Sequence, residues 1–165
     1  MFTDTHCHLT MLNLAPYAGD LDQALQEARD AGVTKFMGIS VTLDDHVALA
    51  EIAHRHADVG YTVGVHPCED REIMQQATVE HLVELAQDSK VWAFGETGLD
   101  YYWSKDFINE QKRSFVAHIH ASQTLKKPII VHTRDAKHDT LEILKAEKAE
   151  HGIIHCFTED YDTAK

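Results

Sequence analysis

Histidine and glutamate side chains follow short apolar segments at several points along the sequence. His6 and His8 form an H-x-H pair, Glu96 follows the apolar run 91–94, and His132 and His155 each end another apolar run. Residues i and i+2 of a strand point to the same side, so His6 and His8 can face one cation. Alone, such a pair is equally consistent with two surface histidines in a chain that has 13 of them.

The number of candidate ligands favours two cations over one. A single catalytic cation needs about three protein ligands and an open position, whereas the sequence offers five. A carboxylate has two oxygens, so we expect Glu96 to bridge, with His6 and His8 on one cation and His132 and His155 on the other. Two cations about 3.5–4 Å apart can activate water and hold both oxygens of a phosphoryl displacement. Nitrogen-rich ligands suit Zn, Mn, Fe or Co better than Mg alone, and the sequence does not distinguish among these five.

Other residues near these ligands have more than one interpretation. His66 ends a further apolar run, and we expect it to contact substrate or metal or to be structural. Arg134 can grip a phosphate with its planar guanidinium or pair with Asp135. Asp100 can orient a ligand imidazole or cap a loop. The aromatic run 101–103 (Tyr101, Tyr102 and Trp103) can stack on nucleobases or pack over the mouth of the site.

The elements that position these residues alternate between strand and helix six times. Apolar runs predict strands at 1–4, 33–39, 60–65, 91–94, 129–131 and 153–154. Apolar residues at helical spacing predict intervening helices, with caps at Asp20, Thr42 and Thr78, others around Ile108–Ile119 and Leu141–Leu144, and a last one beginning near Asp160.

Nearly continuous apolar strands are typical of parallel strands covered by helices on both faces. The sequence therefore predicts an α/β fold of the parallel (β/α)8 TIM-barrel type, whose active sites lie at the carboxyl ends of the strands. Such barrels run to about 250 residues, whereas this chain of 165 residues holds about six units. We therefore expect a single domain over residues 1–165 that forms an incomplete barrel, with an open six-stranded sheet as the alternative.

Composition narrows the functional classes. The formal net charge of −12 excludes a large basic DNA-binding face, but it leaves room for a metal centre that meets a polyanion. No apolar run approaches the ~20 residues of a membrane helix, and the amino terminus is unlike a signal peptide. We expect a cytoplasmic protein with no membrane association and no stable protein partner. The three cysteines form no disulfide pattern, and Cys7 and Cys156 are expected to face away from the site.

Five motifs resemble the TatD family of metal-dependent hydrolases, in order and spacing, along essentially the whole chain. They are Thr5–Leu9 (THCHL), Gly64–Pro67 (GVHP), Gly95–Tyr102 (GETGLDYY), Val131–Asp135 (VHTRD) and His155–Phe157 (HCF). The GETGLDYY segment is highly specific. The H-x-H pair alone would not separate this family from the PHP phosphoesterases or the wider amidohydrolases.

The resemblance implies a TIM-barrel hydrolase with two metal ions and deoxyribonuclease activity, often a 3′-to-5′ exonuclease on single strands, with roles in DNA repair or turnover. It assigns His6, His8, Glu96, His132 and His155 as metal ligands and His66 and Arg134 as substrate contacts. Glu96 and Arg134 are the expected catalytic residues, and Tyr101 and Tyr102 are further candidates for substrate contact. The family also has a metal-binding Asp at the end of strand eight, and we expect this Asp to be absent from residues 1–165, which end before strands seven and eight.

Two other functions remain open at this point. The same ligands could polarise the carbonyl of an ester or amide. A chain without the last two βα units could also bind metal loosely and be catalytically impaired, with exposed edges on its first and last strands.

Overall fold

The computed structural model describes residues 1–165 and contains six β-strands that alternate with helices. The strands are β1 (Phe2–Cys7), β2 (Val33–Gly38), β3 (Val59–Val63), β4 (Val91–Asp100), β5 (Ile129–Arg134) and β6 (Gly152–Ile154). The α-helices are α1 (Leu21–Asp30), α2 (Asp45–Arg55), α3 (Arg71–Gln76), α4 (Val79–Leu85), α5 (Ile108–Leu125), α6 (Lys137–Ala146) and α7 (Tyr161–Ala164).

The six strands form one sheet in which spatial order equals chain order. Every neighbouring pair is parallel, from β1 with β2 to β5 with β6. The sheet curls into a half-barrel, and β1 and β6 each pair on one side only. Because all strands run in one direction, their carboxyl ends meet at one edge. This confirms the α/β fold of TIM-barrel type with six βα units.

The main core lies between the outer face of the sheet and its helices. It is a cluster of 18 buried residues that includes Leu49, Tyr61 and Leu82. Strand β3 is buried along its whole length because it is covered on both faces. A second cluster of six residues packs β4 and β5 against α5. None of the helices combines the length and the hydropathy that a bilayer span requires.

Two predicted helix caps are confirmed. The Asp20 carboxylate accepts hydrogen bonds from the N–H groups of Asp22 and Gln23 at the start of α1. The Thr78 hydroxyl accepts one from the N–H of His81 at the start of α4. Each satisfies a donor that has no partner inside the first turn of its helix.

The predicted cap at Thr42 is wrong, and one helix was missed. Helix α2 begins only at Asp45, whose carboxylate accepts hydrogen bonds from the N–H groups of Val41 and Thr42. Thr42 is thus held by a side chain of the helix instead of capping it. The short helix α3 lies in a polar segment, so its apolar periodicity was too brief to predict.

The strands that carry candidate ligands extend farther than their apolar runs predict. Strands β1, β4 and β5 continue to Cys7, Asp100 and Arg134, so His6, Glu96 and His132 lie within strands and not after them. In β4, Gly95 and Gly98 interrupt the apolar pattern, but the pairing with β5 resumes at Thr97 and continues to Asp100. Conversely, β3 ends at Val63, so the predicted strand over 60–65 is too long at this end.

Gly98 allows β4 and β5 to approach closely beside His132. The two residues are paired across the strands, and Gly98 has a φ of +141°. A Cβ atom at Gly98 would collide with the carbonyl oxygen of His132. Only glycine combines this dihedral with this proximity, so residue 98 fixes the position of a candidate ligand.

Candidate metal centre

Glu96 lies at the carboxyl edge of the sheet between two pairs of histidines. Its Oε2 atom is 3.0 Å from Nε2 of His6 and 3.8 Å from Nε2 of His8. Its Oε1 atom is 3.1 Å from Nδ1 of His132 and 3.7 Å from Nε2 of His66. Only 4% of the Glu96 side chain is exposed. The carboxylate therefore presents one oxygen to each pair of imidazoles.

The surroundings of Glu96 keep its carboxylate charged. Burial opposes ionisation, but the hydrogen bond with His132 and the proximity of His6 and His66 outweigh it. As a result, the pKa of Glu96 lies well below its ordinary range. At neutral pH the centre thus offers a buried anion with two oxygens, which suits a position between two cations.

The donor set fits divalent cations. Two groups of residues have ligand atoms that all lie within 4.8 Å of one another. The first group is His6, His8 and Glu96, and the second group is His66, Glu96 and His132. In the first group, Nε2 of His6 and Nδ1 of His8 are buried and make no hydrogen bond. Buried polar atoms without partners are uncommon and call for an explanation. A cation bound by imidazole nitrogen at about 2.0–2.1 Å would supply the partner that such a nitrogen lacks.

His132 is held from both sides by carboxylates. Its Nδ1 faces Glu96, and its Nε2 lies 3.0 Å from Oδ2 of the fully buried Asp100. Burial would lower the pKa of His132, but the two carboxylates raise it. In the neutral ring, a proton on Nε2 shared with Asp100 leaves the Nδ1 lone pair directed at the centre.

Asp100 combines the two roles that were alternatives in the sequence. Besides contacting His132, it accepts hydrogen bonds through Oδ1 from the N–H groups of Tyr102 and Trp103, at 2.9 and 2.7 Å. It therefore orients a candidate ligand and caps the following loop with one buried carboxylate.

His66 is oriented as a hydrogen-bond donor. Its Nδ1 accepts a hydrogen bond of 3.1 Å from the backbone N–H of Cys68, so the neutral ring carries its proton on Nε2, which faces Glu96. Burial lowers the pKa of His66 to about 4, so the ring is neutral at pH 7. A cation at Nε2 would require the other tautomer and would leave the Cys68 N–H without its acceptor. This geometry favours a substrate contact over a metal ligand.

His155 is placed differently from its predicted partner. Its ring stacks on His6, with centroids 3.5 Å apart and planes inclined by 9°. His66, and not His155, joins Glu96 and His132 in the second group. His155 nevertheless lines the same cavity of about 390 Å³ as His8, Glu96 and His132. The structure thus brings all five predicted ligands to one centre, with His155 stacked beside the first group.

Arg134 and the aromatic run lie beside this centre. The Arg134 guanidinium stands 4.4 Å from the centroid of the Tyr102 ring. Tyr101 turns inward, and its hydroxyl donates a hydrogen bond to Asp139. The side chains of Tyr102 and Trp103 are both exposed. Trp103 is the more exposed of the two.

The cysteines divide between core and cavity. Cys7 packs against the main core, and its thiol donates to the carbonyl oxygen of Met37, which confirms that it faces away from the centre. Cys156 lines the cavity, so the same prediction for it is wrong. The reason is local, since Cys156 has a φ of +46° and follows the end of β6. The alternation of a regular strand therefore does not extend to it.

A third group of potential ligands lies on the surface of α6. His138, Asp139 and Glu142 have ligand atoms within 4.8 Å of one another, but His138 and Glu142 are exposed. Asp139 already contacts Lys112 and Tyr101. These contacts satisfy Asp139 as a surface ion pair.

His118 supports the backbone of the centre and was missed from the sequence. It is fully buried on α5, and its Nε2 accepts a hydrogen bond from the N–H of Val65, the residue before His66. Its Nδ1 lies 2.7 Å from the carbonyl oxygen of Ser114. The available signal was its position three residues after Phe115, on the apolar face of the helix. A histidine at such a position must have hydrogen-bond partners.

His118 makes the stability of the fold depend on pH. Burial lowers its pKa from 6.5 to about 4, so the unfolded chain binds the proton first. Its contribution is therefore complete above pH 6.5 and is lost as the pH falls towards 4, on the order of 3 kcal/mol over this range. In urea unfolding with EDTA at a series of pH values, we expect His118→Gln to lose this part of the decline. Parallel pH profiles for the two proteins would contradict this assignment.

Comparison with known proteins identifies relatives along nearly the whole chain. The family model described as "TatD related DNase" matches residues 3–165. The "uncharacterized metal-dependent hydrolase YcfH" of Escherichia coli K12 is 39% identical over 163 residues, which cover 98% of this chain and 60% of the relative. The "3′-5′ ssDNA/RNA exonuclease TatD" of E. coli K12 is 33% identical over 149 residues, covering 89% of this chain and 57% of that protein. The chain thus spans about three fifths of the length of these relatives.

Solved structures show the same fold. YJJV, a TatD homolog from E. coli K12, superposes with a TM-score of 0.84 at 24% identity and covers 99% of this chain and 62% of its own. A TatD family hydrolase from Entamoeba histolytica gives a TM-score of 0.81 at 26% identity, with 98% and 60% coverage.

Proposed function

This chain belongs to the TatD-related DNase family of metal-dependent hydrolases, and we propose that the protein hydrolyses phosphodiester bonds of DNA with two divalent cations. The observation that carries this proposal is Glu96, a buried carboxylate with one oxygen towards each of two histidine groups. Because the chain spans about three fifths of its relatives, the activity of the whole protein forms part of the proposal.

In the proposed centre, His6 and His8 would hold one cation, His132 and His155 would hold the other, and the Glu96 carboxylate would serve both. Bound cations would supply Lewis acidity towards a phosphate and lower the pKa of a water molecule. Asp100 keeps the Nδ1 lone pair of His132 available by taking the proton on Nε2. The identity of the cations, among Zn, Mn, Mg, Fe and Co, is left to metal analysis.

His66 and Arg134 are proposed to contact the substrate. The Nε2–H of His66 points into the centre and can donate to a phosphate oxygen, because the N–H of Cys68 fixes the tautomer. Since the pKa of His66 is lowered to about 4, it would act as a neutral donor over the physiological range. Arg134, two residues beyond His132, would contribute positive charge at the rim.

The negative net charge of the chain favours binding of DNA at the metal centre over extended contacts with the phosphate backbone of DNA. With a net charge of −12, the protein releases few counterions when DNA binds, so we expect a shallow dependence of affinity on salt. The name of the E. coli relative, a 3′-5′ exonuclease on single-stranded DNA and RNA, supports single strands and 3′ ends as the substrate form.

The test is hydrolysis of a 5′-labelled single-stranded oligodeoxynucleotide with Mn²⁺ or Zn²⁺, compared with the same reaction in EDTA. We expect products that shorten from the 3′ end, and a block of the reaction by a 3′-terminal phosphorothioate but not by a 5′-terminal one. A panel of esters, lactones and acyl-amino acids is run in parallel. Metal-dependent turnover of that panel without turnover of DNA, or nuclease activity that survives EDTA, would overturn the proposal.

A further inference from the structure

Two large aromatic side chains stand in solvent next to the candidate metal centre. Tyr102 is 49% exposed and Trp103 is 68% exposed. Their rings meet edge to face, with centroids 4.7 Å apart. Adjacent exposed rings of this size leave apolar surface in water, and such surface marks an interaction site more often than isolated exposed residues do.

The loop that carries these rings is held rigidly. Asp100 binds the N–H groups of Tyr102 and Trp103 from one side. Gln111, fully buried on α5, accepts from the N–H of Asp100 and donates to the carbonyl oxygens of Asp100 and Ser104. Both ends of the loop are thus fixed, so little conformational entropy is lost when a flat ligand settles on the rings.

The guanidinium group of Arg134 places a positive charge beside the two rings. Its guanidinium lies 4.4 Å from the centroid of Tyr102 and 5.6 Å from that of Trp103. In a chain with a net charge of −12, a cation stacked on exposed rings complements a ligand that is both planar and anionic. Guanidinium groups and aromatic rings are the surfaces on which unpaired nucleobases stack.

The rings are connected directly to the centre. Asp100 binds their backbone through Oδ1 and His132 through Oδ2. A single carboxylate therefore separates the aromatic loop from a candidate metal ligand. A nucleotide with its phosphate at the centre and its base on the rings would span this one carboxylate.

We propose that Tyr102, Trp103 and Arg134 form a subsite that stacks the base of the nucleotide whose phosphate occupies the metal centre. The inference rests on the proposed function and specifies its substrate class as unpaired nucleic acid with an intact base at the reacting end. Stacking accepts every base because each has a π-face. The subsite would thus favour single strands without reading their sequence.

The first experiment compares two single-stranded oligodeoxynucleotides that differ only at the 3′-terminal residues, which are thymidines in one and abasic tetrahydrofuran residues in the other. We expect Trp103→Ala to raise KM for the thymidine substrate by about tenfold and to leave KM for the abasic substrate unchanged. The matched control is Tyr161→Ala, because Tyr161 is also an exposed ring beneath a cation, Lys165, but lies on α7 and not on the loop that Asp100 holds. An equal change on both substrates would overturn the subsite.

The second experiment measures binding without turnover. In a Trp92→Phe background, Trp103 is the only tryptophan within residues 1–165, since these residues contain two. In EDTA, we expect oligothymidylate to quench its fluorescence and an abasic strand of equal length to leave it unchanged. Absence of quenching would overturn the subsite even if the enzyme cleaves DNA. Quenching in a protein that cleaves no DNA would retain the subsite and overturn the proposed function alone.

Discussion

Glu96→Gln is expected to lose both cations and to lower phosphodiester hydrolysis by at least about 10³-fold. The substitution preserves the shape of the side chain but removes the buried charge that faces both histidine groups. Lewis-acid catalysis by metal supplies several kcal/mol of transition-state stabilisation, and about 4 kcal/mol corresponds to this factor. Metal content after dialysis, titration calorimetry with Mn²⁺ or Zn²⁺ and the rate on the oligodeoxynucleotide measure the effect.

The matched control for this variant is Glu142→Gln. Glu142 belongs to the surface group with His138 and Asp139, where its side chain is exposed, so its neutralisation should leave metal content and rate unchanged. Loss of one bound cation in Glu142→Gln would mean that the surface group takes up metal. Retention of two cations by Glu96→Gln would contradict the bridging role.

Gly98→Ala is expected to produce the largest loss of stability of any single methyl addition in the sheet. The new Cβ would collide with the carbonyl oxygen of His132, and the residue would have to hold a φ of +141°. Either the strands separate or the dihedral changes, and both displace His132. We expect a free energy of unfolding lower by at least about 3 kcal/mol, measured by urea denaturation, together with weaker metal binding.

Gly19→Ala is the control that separates dihedral strain from collision. Gly19 also has a positive φ, +87°, but nothing lies within 4 Å of the position of its Cβ. Only the strain remains, so we expect a cost of about 1 kcal/mol and unchanged metal binding. Equal losses in the two variants would show that the close approach at His132 does not matter.

Much of this architecture follows from local pattern. Glu96, His132 and His155 each come after an apolar run, and parallel strands bring such positions to one edge. Asp20 and Thr78 also follow local rules, because a cap depends only on the next three residues. These features could be predicted since neighbours in sequence determine them.

Other features depend on neighbours that are distant in sequence. The two glycines of β4 interrupt its apolar pattern, yet pairing with β5 extends the strand to Asp100. The second group contains His66 in the place predicted for His155. This difference depends on how far beyond the ends of β3 and β6 the two rings lie. Likewise, the tautomer of His66 follows from a loop amide, which no periodicity reveals.

Two side chains of helix α5 hold the backbone near the candidate metal centre from the outer side of the sheet. Gln111 fixes the backbone at Asp100, and His118 fixes it at Val65. They lie seven residues apart, about two turns and ~10 Å along one face of the helix. Undocking of α5 would therefore release two strand ends at once. We therefore expect α5 and the candidate metal ligands to unfold together in one local, cooperative step, although the helix does not contact the ligands. The stability of the centre would then be limited by how firmly α5 packs against the sheet.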